Sequence, residues 1–346
     1  MGKAIKITMI NYKGGVGKTT SVYNFCAGLN FLCDKRVLMV DLDPQCSLTN
    51  ICLKSYSRKI SKEVKIENLN IKQTVNHIFK EYLRQISLSI EPQINLTNLI
   101  LNSFYSGHQK YKDYKGFDVI PTTMFDYENS TYPKGLDDLE IEIARQYLGE
   151  TTLLSHITIL AKFFKSSNIE ADYDFIFFDC PPANSLITQN ALVVSDYYLI
   201  PSIMDDMSAY GIPHMHNLIQ NTIFIQLKEI YDKIFHTAPE NTYLDYLKKD
   251  SPKLLGIFET LRKTNVDTYS IRRLVGQDHN LFNTVIFNHI DTARTTSEGL
   301  SCFSVNIKKD EYSPHVCYGK LVAEGLTNLN YTFDSQLLET RTFQYY

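Results

Sequence analysis

At 346 residues, 44% hydrophobic and 21% charged, the chain can bury one large core or a core carrying a sizeable insertion. Its formal net charge of −3 excludes a global basic field that would draw it to nucleic acid. No run of about 18 apolar residues marks a membrane span, and the first residues lead into a strand without the pattern of a signal peptide. Seven cysteines, Cys26, Cys33, Cys46, Cys52, Cys180, Cys302 and Cys317, form no C-x-x-C pair and read as reduced thiols.

The run Ile5-Lys6-Ile7-Thr8-Met9-Ile10 predicts a strand over 4–10, and a helix is predicted over 18–32. Between them lies Lys13-Gly14-Gly15-Val16-Gly17-Lys18-Thr19-Thr20. A strand passing through a glycine-rich turn into a helix binds phosphate: N–H groups converge on the anion, and the helix dipole adds positive potential. Glycines let the backbone approach without a Cβ in the way. Lys18 is then placed for the β- and γ-phosphates, and the Thr19 hydroxyl for Mg²⁺. A plain glycine turn is the alternative, and the apolar strand ahead of Gly-Lys-Thr argues against it. The usual first glycine of G-x-x-x-x-G-K-[ST] is Tyr12 here, and Lys13 is a second lysine.

The next strand, predicted over 36–40, leads into Asp41-Leu42-Asp43-Pro44-Gln45, whose two acids fall on the same side of an extended chain. An Asp-Pro turn starter is the competing reading. Residues 53–116, rich in Lys, Asn, Ile and Tyr, look inserted, with an amphipathic helical run at Val75–Leu83. A strand over 117–121 and helix over about 136–166, in one or two pieces, precede Tyr173-Asp174-Phe175-Ile176-Phe177-Phe178-Asp179-Cys180-Pro181-Pro182. There a buried strand over 174–179 ends on one acid, the form of a Walker B aspartate.

Further on, helices are predicted over 184–194, 207–234, 266–276 and 293–302, and strands over 196–201, 253–260 and 283–287. A second insertion is expected over 218–252, with a polar break at His236–Asn241, and a helical extension over 303–346. Alternating strands and helices predict an α/β fold, with a doubly wound, mainly parallel sheet, helices on both faces and added helical segments, all in one domain over 1–346.

The loop wording K-G-G-x-G-K-T, the D-x-D-P-Q of Asp41–Gln45 and the Y-D-F-I-F-F-D-C-P-P of Tyr173–Pro182 together resemble the ParA/MinD family of P-loop ATPases, the ParA/Soj partition branch above all. Asn190-Ala191-Leu192 and Ile200-Pro201-Ser202 continue the likeness, which covers most of residues 1–55 and 117–215. The resemblance implies ATP and Mg²⁺ as cofactors and slow intrinsic hydrolysis of ATP to ADP and phosphate. It implies nucleotide contacts from Lys13, Gly14, Gly15, Val16, Gly17, Lys18, Thr19 and Thr20, and metal contacts from Thr19, Asp43 and Asp179, with Asp41 in the outer shell. Asp43 is expected to orient the attacking water, and Lys13 to cross an ATP-dependent homodimer interface to the partner's phosphates. Asn288 is expected near the adenine.

The resemblance further implies an adaptor protein that stimulates hydrolysis, a bacterial cytoplasmic location with nucleoid association, and non-specific DNA binding for partition or cargo positioning. The candidate DNA contacts are Arg262, Lys263, Arg272, Arg273 and Arg294, each of which also reads as a solvated charge. The tail Phe333–Tyr346 has one Arg and two acids, so no membrane docking is expected. The closing Tyr345-Tyr346 is a faint echo of bacterial tyrosine kinases, which lack the Lys13 signature. The alternative output is a maturation or regulatory ATPase acting on a protein client without DNA, although no metal-ligand spacing supports it.

Overall fold

Seven short apolar runs become strands: β1 (Ile5–Met9), β2 (Val37–Asp41), β3 (Phe117–Ile120), β4 (Phe175–Asp179), β5 (Tyr197–Ser202), β6 (Lys253–Arg262) and β7 (Leu281–Phe287). In the computed structural model they form one sheet in the order β3-β2-β4-β1-β5-β6-β7, every neighbouring pair parallel. All seven lie where the sequence predicts them. The structure describes residues 3–102, 117–125, 135–145, 150–234, 242–248, 251–304 and 310–344.

Alternation along each strand divides the core in two. Val37, Met39, Phe175, Phe177 and Leu199 face one apolar cluster, while Leu38, Val40, Ile176, Phe178, Tyr198 and Ile200 face the other. A sheet buried on both sides needs such unbroken apolar runs. The first cluster is covered by α1 (Lys18–Cys33) and α2 (Ser47–Ile60). Onto the second face pack α3 (Val75–Leu88), α4 (Leu96–Leu99), α5 (Leu136–Arg145), α6 (Glu150–Ile157), α7 (Ile159–Ser167), α8 (Leu186–Val194), α9 (Asp206–Asn217), α10 (Phe224–Ile234) and α11 (Asp245–Lys248). After β6 come α12 (Tyr269–Asp278), α13 (Ile290–Ser297), α14 (Pro314–Asn328) and α15 (Ser335–Gln344). Residues of α14 and α15, among them Tyr318, Leu321, Val322, Leu326 and Leu338, join the α1 side of the core.

Several helices depart from the sequence reading. The run 136–166 is cut into α5, α6 and α7, with 146–149 outside the described residues. The run 207–234 is interrupted by a π-helical turn at Leu218–Ile223, one turn after Pro213, which cannot donate within α9. The helix predicted over 293–302 forms earlier, at 290–297: His289 caps its start by accepting from Asp291 N–H at 3.2 Å, and Gly299 turns left-handed at φ +73° against α2 just past its end. The polar break at 236–241, residues 103–116 of the first insertion, residues 249–250 of the second, residues 305–309 of the extension and Tyr345-Tyr346 lie outside the described residues.

The β7 edge is closed by a side chain. Glu324 of α14 accepts the N–H groups of Asn283 (2.6 Å) and Thr284 (2.9 Å), which removes donors that would otherwise pair with another chain.

Candidate nucleotide site

β1, β2 and β4 end side by side at the centre of the sheet, where the direction of winding reverses and open α/β sheets collect ligands. After β1, Asn11 anchors the turn: its Nδ2 donates to the Pro201 carbonyl (2.8 Å) and its Oδ1 accepts from Lys13 N–H (2.9 Å). The loop then curls through Gly15 (φ +72°) and Gly17 (φ +77°), conformations that cost little only for glycine. A Cβ built on Gly14 or Gly15 would meet nothing within 4 Å, so this side of the loop is open. Gly17 caps α1 without any side-chain cap, and α1 carries no acid in its first turn, leaving its positive end uncompensated.

Lys18 folds back over the loop, its ammonium donating to the Lys13 carbonyl at 3.3 Å. Burial lowers its pKa, while the nearby Asp179, Asp43 and Cys180 pull it the other way. That acidic group sits on β2 and β4, where Asp41 and Asp179 are register partners. Asp41 is fully buried but well held: Oδ2 accepts from Thr49 N–H (2.8 Å) and Thr49 Oγ1 (2.6 Å), and Oδ1 from Asp43 N–H (3.1 Å). Burial nevertheless pushes its pKa up to about 7. Asp43 forms a turn of its own, accepting from Gln45 N–H at 2.9 Å.

Asp179 is different. It is fully buried, and neither carboxylate oxygen meets a hydrogen-bond partner. Burial first, then the charge of Asp41, drive its pKa well above the ordinary carboxylate range; the Thr19 hydroxyl, near the carboxylate but not in hydrogen-bond geometry, and Lys18 oppose this only in part. A buried carboxylate with no donor is costly in itself. Beside two more acids and a threonine hydroxyl it suits a divalent cation, which supplies the missing positive charge. Asp179, with Thr19 and Asp43 near it, could hold such a cation, and Asp41 is tied up by Thr49 behind them.

Lys13 does not point into this cluster. Its ammonium is ion-paired with Asp205, which also caps α9 by accepting from Ser208 N–H at 3.0 Å. Asn288, expected near the adenine, is exposed just beyond β7, and its N–H donates to the Arg262 carbonyl at 2.9 Å, one residue past the Leu261 that packs against Gly17. Of the expected DNA contacts, Arg262 and Arg272 are both engaged by the buried Glu259, at 3.5 and 2.9 Å, and Arg272 also donates to the Phe282 carbonyl at 2.7 Å. Arg294 pairs with Asp291 at 2.8 Å, whereas Lys263 and Arg273 are exposed. Sequence reasoning overlooks Thr49 and Asp205. An acid three residues before a serine at a predicted helix start is a capping signal that would have found Asp205.

Residues 4–125 and 134–233 match the family model described as AAA domain. Over 220 residues the chain is 30% identical to the sporulation initiation inhibitor protein Soj of Bacillus subtilis, a match covering 64% of this chain and 66% of Soj, just under two thirds of that protein's length. It is 23% identical over 321 residues to the virulence plasmid ParA family protein pGP5-D of Chlamydia psittaci, covering 92% of this chain and 99% of that one. Its fold is similar to that of the McdA–ATP complex from Cyanothece, with a TM-score of 0.58 at 15% identity over 97% of this chain and 100% of the other. With a two-lysine phosphate loop, a Walker B acid at the tip of β4 and a family match over more than half its length, the chain belongs to the AAA domain family and is a P-loop ATPase of the ParA/MinD type.

Proposed function

We propose that the chain is an ATP-gated dimerising switch that hydrolyses ATP slowly and positions a cargo. The observation that carries this reading is the pair of lysines on one loop: Lys18 lies over its own phosphate cradle, while Lys13 faces away from it, toward α9. A lysine directed away from its own site is available to a neighbour's. Beside it, Met207 and Tyr210 of α9 expose large apolar surface, as a face that is covered in a dimer would.

Bound Mg²⁺·ATP supplies the polyphosphate and the cation that neutralises the buried acids. The protein's own part is positional. The loop N–H groups and Lys18 would hold the β- and γ-phosphates, Thr19, Asp43 and Asp179 would hold the metal, and Asp43 would orient water. Lys13 of each protomer would add positive charge at the other's phosphates. Slow turnover suits a state that an adaptor protein ends.

Partition or cargo positioning is supported by the ParA name of the Chlamydia relative. Arg262 and Arg272 are paired with Glu259, and the alternative output is a protein client without DNA. Lys263 and Arg273 remain free to serve duplex DNA. Light scattering with ATP, ADP and no nucleotide tests the switch: a dimer with ATP alone supports it, and a monomer in every state with hydrolysis intact overturns it. Lys13→Ala should bind ATP as a monomer, and Asp43→Ala should remain dimeric. An ATP-dependent mobility shift of random duplex, lost in high salt, separates the DNA output from the client output.

A further inference from the structure

The phosphate loop is gripped from behind by β6. This strand outruns β5, whose last register pair is Ser202 with Glu259, and its pairing with β7 shifts between Glu259 and Arg262. In that overhang the buried Thr260 donates its hydroxyl to the Val16 carbonyl at 2.8 Å. The next residue, Leu261, is held at φ +53°, a left-handed conformation that costs a leucine about 1–2 kcal/mol. Its side chain packs against Gly17, 3.9 Å from where a Cβ there would sit. Backbone strain of this kind persists only where the surroundings impose it.

The geometry assigns Thr260 as a positioning residue for nucleotide binding, fixing the peptide between Val16 and Gly17 so that the Gly17 N–H faces the phosphate. A trans peptide directs its C=O and N–H to opposite sides, and no cis bond occurs among the described residues. With the carbonyl bound to Thr260, the Gly17 N–H points away from β6, and it meets no acceptor among the described residues. Without the hydroxyl this peptide can rotate, and a buried carbonyl loses its donor. The assignment rests on the reading of this loop as an ATP site.

Equilibrium binding of the fluorescent analogue mant-ADP tests it in wild type, Thr260→Val and Thr260→Ser. Thr260→Val keeps the volume without the hydroxyl and should weaken binding about 5- to 10-fold, the worth of one hydrogen bond to a group that must stay oriented. Thr260→Ser should restore it to within about two-fold, since it can make the same bond. In ¹H–¹⁵N spectra of nucleotide-free protein, the Gly17 amide should move in Thr260→Val and return in Thr260→Ser. Equal mant-ADP affinity in all three proteins, or equal loss in both variants, overturns the assignment; a purely structural role would lower melting temperature and leave affinity unchanged. Thr260→Ala provides a second hydroxyl-free variant if valine prevents folding. Failure of wild type to bind mant-ADP would instead remove the nucleotide reading, and this inference with it.

Discussion

Lys13 and Asp205 are ion-paired within one chain, the ammonium on the phosphate loop and the carboxylate at the start of α9. The pair holds the loop lysine against the start of α9. Burial alone would raise the pKa of Asp205, but hydrogen bonds from Lys13 and Ser208 outweigh it and hold the carboxyl below its ordinary range. Both groups are more than a third exposed, so the pair is worth less than about 1 kcal/mol.

Asp205→Asn therefore separates the latch from the cap, because asparagine caps a helix as well as aspartate does. ATP-dependent dimerisation should tighten by up to about five-fold, the factor that a partly exposed ion pair allows. Sedimentation across a concentration series reads this directly. An unchanged or weaker dimer would show that the pair does not compete with association.

Asp179 combines a cost in the free protein with a task in the bound one. Burial without a hydrogen-bond partner disfavours its charge in the free protein, so Asp179→Asn keeps the shape and removes a charge that the site penalises. Thermal stability without nucleotide should lie within about 1 kcal/mol of wild type, or above it. The extra stabilisation that Mg²⁺ adds to nucleotide should vanish. Calorimetric scans with ADP, with and without Mg²⁺, check both halves.

How much of this was legible in the sequence follows from the range of each interaction. The strands could be read because both faces of the sheet are covered, which demands uninterrupted apolar runs such as Phe175–Phe178. Lys18, Thr19, Asp41, Asp43 and Asp179 could be placed together because each ends or follows a central strand. The Thr49 hydroxyl behind Asp41 and the Thr260 hydroxyl behind Val16 could not, because each joins segments that only the finished sheet brings together. The π-helical turn at Leu218–Ile223 keeps apolar residues at nearly helical spacing, so periodicity passes over it. Arg262 and Arg272 looked like surface charge because their partner, Glu259, sits inside a strand that reads as apolar.

Gly256 on β6 tests packing apart from chemistry. A Cβ there would lie 2.0 Å from Phe282 Cε1 on β7, far inside contact distance, and Phe282 is fully buried with no room to swing aside. Gly256→Ala should destabilise the protein by about 1–3 kcal/mol through overpacking. Gly256→Ala combined with Phe282→Leu should recover part of that loss in urea titrations. The failure of the double variant to recover would place the cost in the backbone rather than in the ring.

Lys162 of α7 offers a pH-dependent test. It lines a cavity of 670 Å³ with Tyr82, Phe163 and Tyr243, lies 5.1 Å from the Tyr243 ring, and has no carboxylate partner among the described residues. Burial lowers its pKa to about 8 from an ordinary value of 10.5. Between those values the unfolded chain binds more protons than the folded one, so stability rises as pH climbs from about 8 toward 10.5. Below about 8 the folded state carries the buried charge, and the full penalty applies. Lys162→Met keeps the aliphatic length and removes the charge. At pH 7 it should raise stability by on the order of 2 kcal/mol, less than the full shift implies because the site is partly open to water. The difference between variant and wild type should shrink as pH rises through the window, and urea titrations at pH 7, 8.5 and 10 would follow it. A difference that stays constant with pH would mean that the ammonium is solvated in the folded protein.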